Sequence, residues 1–185
     1  MQNENNIFEP FKIITEKNLT EFKAAGVWAL FGKEKANPKP YICLNVGKSA
    51  NIKDELQIDF QRLKKPKKPK EKKYINQFSE SKFSYIEYPS RLDWLYNEIA
   101  NKYKDLNFIL ITDTNDYDIE KYFAYSLKAA YWVSNGRYSE KHETITDDEI
   151  QNILKDTQKN IDNKVLEKIN KFKKNYLQYV KTHCT

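Results

Sequence analysis

Acidic residues crowd one short stretch of the chain, where their carboxylates could bind a divalent cation through oxygen. The stretch contains Asp113, Asp116, Asp118 and Glu120. An alternative role for the three aspartates is to favour the dipole at the start of a helix. Glu120 lies at helical spacing from apolar residues, so we expect its carboxylate at the border of the core, where it needs a cation or hydrogen-bond donors. A metal ligand and a salt bridge at the edge of the surface both satisfy that need.

A second group of chemical side chains follows two short apolar segments, residues 26–31 and 41–46, which predict adjacent strands. Prolines between the segments mark a turn. Strand alternation places Tyr41, Cys43 and Asn45 on one face of the second strand. Lys48 follows at its end, and the spacing of apolar residues predicts a helix over 51–63.

Lysine dominates the charge of the chain. The 185 residues carry a formal net charge of +6, and arginine occurs only at Arg62, Arg91 and Arg137. A basic surplus favours a phosphate-rich partner. Alternatively, the lysines reflect the base composition of the gene, because A/T-rich coding also produces a chain rich in Lys, Asn, Ile and Tyr.

The most basic stretch is KKPKKPKEKK, residues 64–73. Its prolines predict irregular structure. Flexible lysines can contact DNA phosphates and add salt-dependent, sequence-independent affinity, although a solvated surface loop has the same composition. The candidate DNA-binding residues are Lys64, Lys65, Lys67, Lys68 and Lys70.

The remaining elements must position these groups. We predict a helix over 11–25, strands over 83–88 and 107–112, a helix capped by Ser90 with Asp93 at the capping-box position, and a helix over 117–133 capped by Asn115. Thr146 and Glu149 form a capping box before a long amphipathic tail, residues 147–181. We expect the tail to pack on the domain as one helix or two, and a dimer formed through it is the alternative.

Several function classes lack support. No apolar run approaches the length of a membrane span, the N-terminal residues lack the shape of a signal peptide, and we expect a cytoplasmic protein without a membrane partner. Cys43 and Cys184 do not indicate a disulfide framework. The stretch from Gly47 to Ser49 lacks the upstream glycine of a phosphate loop. His142 and His183 have no neighbours at zinc-ligand spacing.

The hairpin and the later helix together resemble the GIY-YIG nuclease family. Gly26-Val27-Trp28 stands at the first motif, and Asn45-Val46-Gly47 stands at the second. Glu120 and Asn135 resemble the family's helical glutamate and its downstream asparagine. The resemblance covers roughly residues 24–138 and implies a divalent-metal-dependent DNA endonuclease, of which a restriction-like enzyme is one form. It implies Mg²⁺ or another divalent cation on Glu120 and double-stranded DNA as the partner.

The chain departs from the family at its reactive positions. Trp28 and Asn45 replace the motif tyrosines, and neither side chain can accept a proton at neutral pH. Glu55 stands in the register where the family carries an arginine. We therefore predict Tyr41 as a substitute base, and Lys48 and Arg62 as the cations that stabilise phosphate charge.

The predicted fold is α/β (α+β): a small central antiparallel sheet of about three strands flanked by helices. Residues 1–145 form the GIY-YIG-like domain, and residues 146–185 form a helical C-terminal extension. The alternative function is a catalytically degenerate protein on the same scaffold, which binds DNA or a protein partner without cleavage.

Overall fold

A computed structural model of the protein describes residues 7–36, 40–75, 82–132 and 145–183. The strands are β1 (Lys12–Ile14), β2 (Gly26–Glu34), β3 (Ile42–Ser49), β4 (Lys70–Ile75), β5 (Lys82–Glu87) and β6 (Tyr103–Thr112). The α-helices are α1 (Ile52–Lys64), α2 (Arg91–Lys102), α3 (Tyr117–Ser126), α4 (Asp147–Thr157) and α5 (Asn163–His183). None of these described helices is both long enough and apolar enough to span a bilayer.

The predicted fold class is confirmed. The central sheet is antiparallel, with strand order β1-β6-β2-β3, and helices flank it. It has four strands, one more than expected, and β4 and β5 form a separate two-stranded sheet.

The additional strand is β1, which lies where the sequence predicted a helix over 11–25. That prediction is wrong, because Ile13 pairs with Ile109 of β6. The side chain of Asn18 also accepts a hydrogen bond from the Thr15 amide and donates one to the Ile13 carbonyl. Such local side-chain bonds compete with helix formation. A 3₁₀ turn at Leu19–Glu21 is the one helical segment described within this range.

The lysine-rich stretch is irregular only over residues 65–69, because Lys64 is the last residue of α1. After the last proline, Pro69, the chain forms β4, and Lys70 pairs with Glu87 of β5. The prediction that residues 64–73 lack regular structure is therefore wrong at Lys64 and from Lys70 onward, because no proline interrupts the backbone donors there.

A β-bulge sets the faces of the β2–β3 hairpin. Leu30 pairs with Asn45, but the next residue, Phe31, pairs with Cys43, so Leu44 is the extra residue. Asn45 thus shares a face with Leu30, and Cys43 shares the opposite face with Phe31. The prediction that Cys43 and Asn45 point to the same face is wrong because an inserted residue breaks the alternation.

Hydrophobic cores cover both faces of the sheet. One core joins the sheet to α3, α4 and α5, and the other joins it to α1 and α2. Phe172 of α5 is fully buried in the first core, where it stacks on Phe123 and Tyr176. The Tyr176 hydroxyl donates to the Tyr41 carbonyl at 2.9 Å. The C-terminal tail therefore packs on the sheet as two helices.

Two of the predicted helix starts are confirmed. The side chain of Ser90 caps α2, and Thr146 and Glu149 form the expected capping box of α4. The cap of α3 is Asp116 rather than Asn115, since the Asp116 carboxylate accepts the first free amides. Helix α3 also ends at Ser126, so the prediction of a helix reaching residue 133 is wrong.

Replacing Phe172 with alanine should lower the free energy of unfolding by about 3–5 kcal/mol, because it opens a cavity between α5 and the sheet. Urea denaturation measures this change. Leu177→Ala is the matched control on the same helix: Leu177 is 44% exposed, so its loss should change stability by about 0.5 kcal/mol or less. Equal effects of the two substitutions would contradict the placement of α5.

Candidate functional site

The site lies at the edge strand β3, whose outer side is covered by the chain that follows α3. The amides of Ala130 and Tyr131 donate to the carbonyls of Cys43 and Leu44 at 3.0 and 2.8 Å. Tyr131 packs into the core beneath α1 and α2, whereas Trp132 packs into the core beneath α3. These interactions fix the backbone next to Trp132 against the sheet.

Glu120 of α3 faces this edge and is half-buried. The indole nitrogen Nε1 of Trp132 donates to Glu120 Oε1 at 3.0 Å. Burial raises the pKa of Glu120, the hydrogen bond from Trp132 and the positive charge of Lys48 lower it, and the negative charge of Glu55 raises it. Glu120 therefore lies within electrostatic reach of groups from both β3 and α1.

Lys48 is exposed near the end of β3. Its ammonium donates to Asn115 Oδ1 at 3.1 Å, in the loop between β6 and α3. Its charge also favours the ionised forms of Glu55 and Glu120. Lys48 is thus the cation that the two carboxylates share.

Glu55 lies near the start of α1 and is half-buried. Burial raises its pKa, while the Ser49 hydroxyl and the Trp28 indole N–H favour the ionised carboxylate, as do the charges of Arg62 and Lys48. The geometry between Trp28 Nε1 and the carboxylate falls short of a hydrogen bond, and this buried nitrogen has no bonding partner among the described residues.

The residues that replace the motif tyrosines are buried. Trp28 is 2% exposed and Asn45 is 1% exposed, so neither can touch a ligand that arrives from solvent. A Cβ atom on Gly47 would lie 2.5 Å from the Trp28 ring, and one on Gly26 would lie 2.6 Å from the Thr112 carbonyl oxygen. Both glycines thus allow close packing. Asn135 lies outside the described residues.

Tyr41 lies at the opposite end of the hairpin from Lys48. The two residues are seven positions apart along the chain, which corresponds to roughly 20 Å of strand. The Tyr41 hydroxyl accepts a hydrogen bond from Asn107 at 3.3 Å, and its ring packs against Phe8 in the core beneath α3 and α5. The structure does not bring Tyr41 to the carboxylates, and the bulge removes the shared face with Asn45 on which its candidate role depended.

Arg62 is engaged in a network between α1 and α2. Its Nη1 lies 2.9 Å from Asp59 Oδ1, and its Nε lies 3.8 Å from Asp93 Oδ1. Both aspartate side chains are only 3% exposed, and the Arg62 guanidinium also lies over the Tyr96 ring. The positive charge of Arg62 is balanced by these two acids.

The predicted DNA-binding lysines do not form one uniform group. Lys67 is anchored to α2, since its ammonium lies 3.3 Å from Asp93 Oδ2 and its carbonyl accepts a hydrogen bond from Asn97. Lys64 pairs with Glu16. The exposed members that remain are Lys65, Lys68 and Lys70.

The crowded aspartates have helix-capping and surface roles. Asp116 caps α3, Asp118 accepts a hydrogen bond from Asn160, and Asp113 is exposed. Across the four described ranges, no three His, Cys, Asp or Glu side chains gather closely enough to hold a metal ion by themselves. Glu55 and Glu120 are the two carboxylates whose charges Lys48 offsets.

Comparisons of the chain with protein families, with curated proteins and with solved structures found no match. The resemblance to GIY-YIG nucleases stays a prediction, based on the motif residues and on the element order. That order is a hairpin, a helix, a later strand beside β2, and the glutamate helix.

Sequence reasoning missed two contributors to the site. Glu55 stands out in the sequence only because the resembled family carries an arginine there. Its position one turn into the predicted helix is the one sequence feature that could have placed its side chain near Lys48. Trp132 gives no such signal, because its hydrogen bond to Glu120 depends on the chain leaving α3 at Ser126. Lys128 adopts a φ of 50° there, and the Ala129 amide closes the helix end on the Ala124 carbonyl.

Asp59 should make the stability of the protein depend on pH. Burial raises its pKa to about 6, against the opposing effects of the Tyr96 hydroxyl and Arg62. Because the folded pKa exceeds the unfolded one, the contribution of Asp59 is greatest below pH 4 and is lost as pH rises through 6. The difference in the free energy of unfolding, wild type minus Asp59→Asn, should fall by on the order of 2–3 kcal/mol as the pH rises through this window.

Urea denaturation of both proteins between pH 4 and pH 7 measures that difference. Asp156→Asn is the control, because Asp156 is a fully exposed aspartate paired with Lys159. A stability difference between wild type and Asp59→Asn that is constant with pH, or that grows as pH rises, would contradict the assignment.

Proposed function

We propose that the protein is a divalent-metal-dependent phosphodiesterase of GIY-YIG type that cleaves double-stranded DNA at the site around Glu120, Lys48 and Glu55. One observation carries the proposal: Lys48 at the end of β3 donates to Asn115, just before the helix that carries Glu120, so a lysine and a carboxylate lie near each other in the element order that the resemblance implies.

The charge balance of the site supports the need for a cation. Glu55 and Glu120 together with Lys48 give a net negative charge, which repels a phosphodiester. Two carboxylates suit Mg²⁺, which proteins commonly hold through one or two acidic side chains and the phosphates of the substrate. Glu120 would hold the ion, which would stabilise the leaving oxygen when bound.

The side chains of the chain itself provide the other roles. Glu55 replaces Tyr41 as our candidate general base, because its partial burial favours the proton-accepting behaviour that a base needs near neutral pH. Lys48 is exposed and can donate to a phosphate oxygen once the substrate displaces Asn115. The charge of Arg62 acts on the site by favouring the ionised form of Glu55.

The exposed lysines on the α1–β4 connection are the candidates for holding the DNA backbone. Lys67 fixes this connection to α2. Lys65, Lys68 and Lys70 are exposed around this anchor and can contact phosphates without reading sequence.

A second candidate function is binding of DNA without cleavage. The burial of Trp28 and Asn45 at the tyrosine positions favours it, because these side chains can perform no chemistry on a substrate. The balanced charge of Arg62 favours it as well. The two functions share the lysines and differ in the role of Glu120.

Glu120→Gln should abolish Mg²⁺-dependent nicking of plasmid DNA, with a loss of about 100-fold or more, because the amide cannot supply the negative charge that holds the cation. Agarose gels of supercoiled plasmid measure the rate. Glu167→Gln, an exposed glutamate on α5, is the matched control and should cleave at the wild-type rate. Wild-type protein that binds plasmid but never nicks it supports the second function, and equal cleavage by both variants refutes the role of Glu120.

Replacing Lys65, Lys68 and Lys70 with glutamine should weaken DNA binding and reduce its salt dependence. The slope of log K against log salt is negative. For every lysine that neutralises a phosphate in the wild-type complex, the substitution should reduce the magnitude of this slope by about 0.9. Fluorescence anisotropy with a labelled duplex measures the slope. The same three substitutions at Lys155, Lys159 and Lys181, which are exposed on α4, on the 3₁₀ turn Gln158–Asn160 and on α5, control for net charge. Equal slopes for the two triple variants would place the DNA elsewhere.

A further inference from the structure

We propose that Trp132 is a positioning residue that holds the carboxylate of Glu120 at the site shared with Lys48 and Glu55. The expected effect of Trp132 on metal binding rests on the proposed function. The hydrogen bond itself can be tested without any activity.

The chemistry of this hydrogen bond is one-directional. An indole nitrogen can donate a hydrogen bond and cannot accept one. The bond from Trp132 Nε1 therefore occupies Oε1 of Glu120 as an acceptor. It leaves the lone pairs of the second carboxylate oxygen for another partner, such as a cation. Outer partners of this kind orient metal-binding side chains and commonly change metal affinity when removed.

Trp132 is held firmly enough to play this role. It is 5% exposed, and its ring meets the Tyr125 ring edge-to-face at 5.3 Å. The preceding residue, Tyr131, donates its amide to Leu44 of the edge strand and buries its side chain in the other core. The indole cannot turn away from Glu120 without breaking packing in the core beneath α3.

The other charged or titratable groups around Glu120 act on it through charge. Lys48 on β3 donates to Asn115, and Glu55 on α1 repels the carboxylate. Tyr117, at the start of α3, also interacts electrostatically with Glu120. Among the described residues, the indole N–H of Trp132 is the one group that donates a hydrogen bond to the Glu120 carboxylate.

Trp132→Phe tests the consequence, because phenylalanine keeps a ring beside Tyr125 and removes the N–H group. A calorimetric titration with Mg²⁺ alone should show that the variant binds Mg²⁺ with an affinity about 10-fold or more below that of wild type. Trp94→Phe is the matched control: Trp94 is partly buried and contacts Tyr131 edge-to-face at 6.1 Å, on the other side of the sheet. Mg²⁺ affinity that is lowered equally in both variants, or in neither, would overturn the proposal.

A spectroscopic readout tests the hydrogen bond directly and requires neither cleavage nor metal. In ¹H–¹⁵N spectra, the indole resonance of Trp132 should move upfield in Glu120→Gln, because an amide oxygen is a weaker acceptor than a carboxylate. The indole resonance of Trp94 should stay in place and serves as the internal reference. An unmoved Trp132 resonance overturns the proposal. A shifted resonance in a protein that never cleaves DNA supports the positioning role and refutes only the proposed phosphodiesterase.

Discussion

Two half-buried carboxylates share one lysine, and the arrangement of the site follows from that constraint. Glu55 and Glu120 come from helices on opposite faces of the sheet, and burial disfavours the charge on each of them. Lys48 lies at the edge strand, where it can offset both charges. Trp132 adds a hydrogen bond to Glu120. A negative site of this kind favours a divalent cation before it can accept a phosphate.

Local sequence signals predicted the elements that depend on hydrogen bonds and apolar spacing between residues close together in the chain. The capping positions Ser90 and Thr146 are predictable because their side chains bond to amides only three residues away. The β2–β3 hairpin and α1 are predictable because prolines and apolar periodicity mark their limits. The antiparallel α/β class follows from these elements.

Tertiary contacts decide the features that sequence reasoning missed. The short strand β1 exists because β6 offers it a partner, and α3 ends at Ser126 because the following residues bond to the edge of β3. The bulge at Leu44 reverses the strand faces that alternation predicted, which removes the reason for choosing Tyr41. No pattern along the chain reveals the hydrogen bond between Trp132 and Glu120, since it arises only when the edge strand is covered.

The interaction between Lys48 and Glu120 can be measured most directly by a double-mutant cycle between Lys48→Met and Glu120→Gln. Urea denaturation of the wild type, the two single variants and the double variant gives the coupling free energy. A favourable coupling of about 0.5 kcal/mol or more is the predicted result for a pair that faces each other across a partly exposed site. Additive effects would contradict the account, because they would mean that the lysine and the glutamate do not interact.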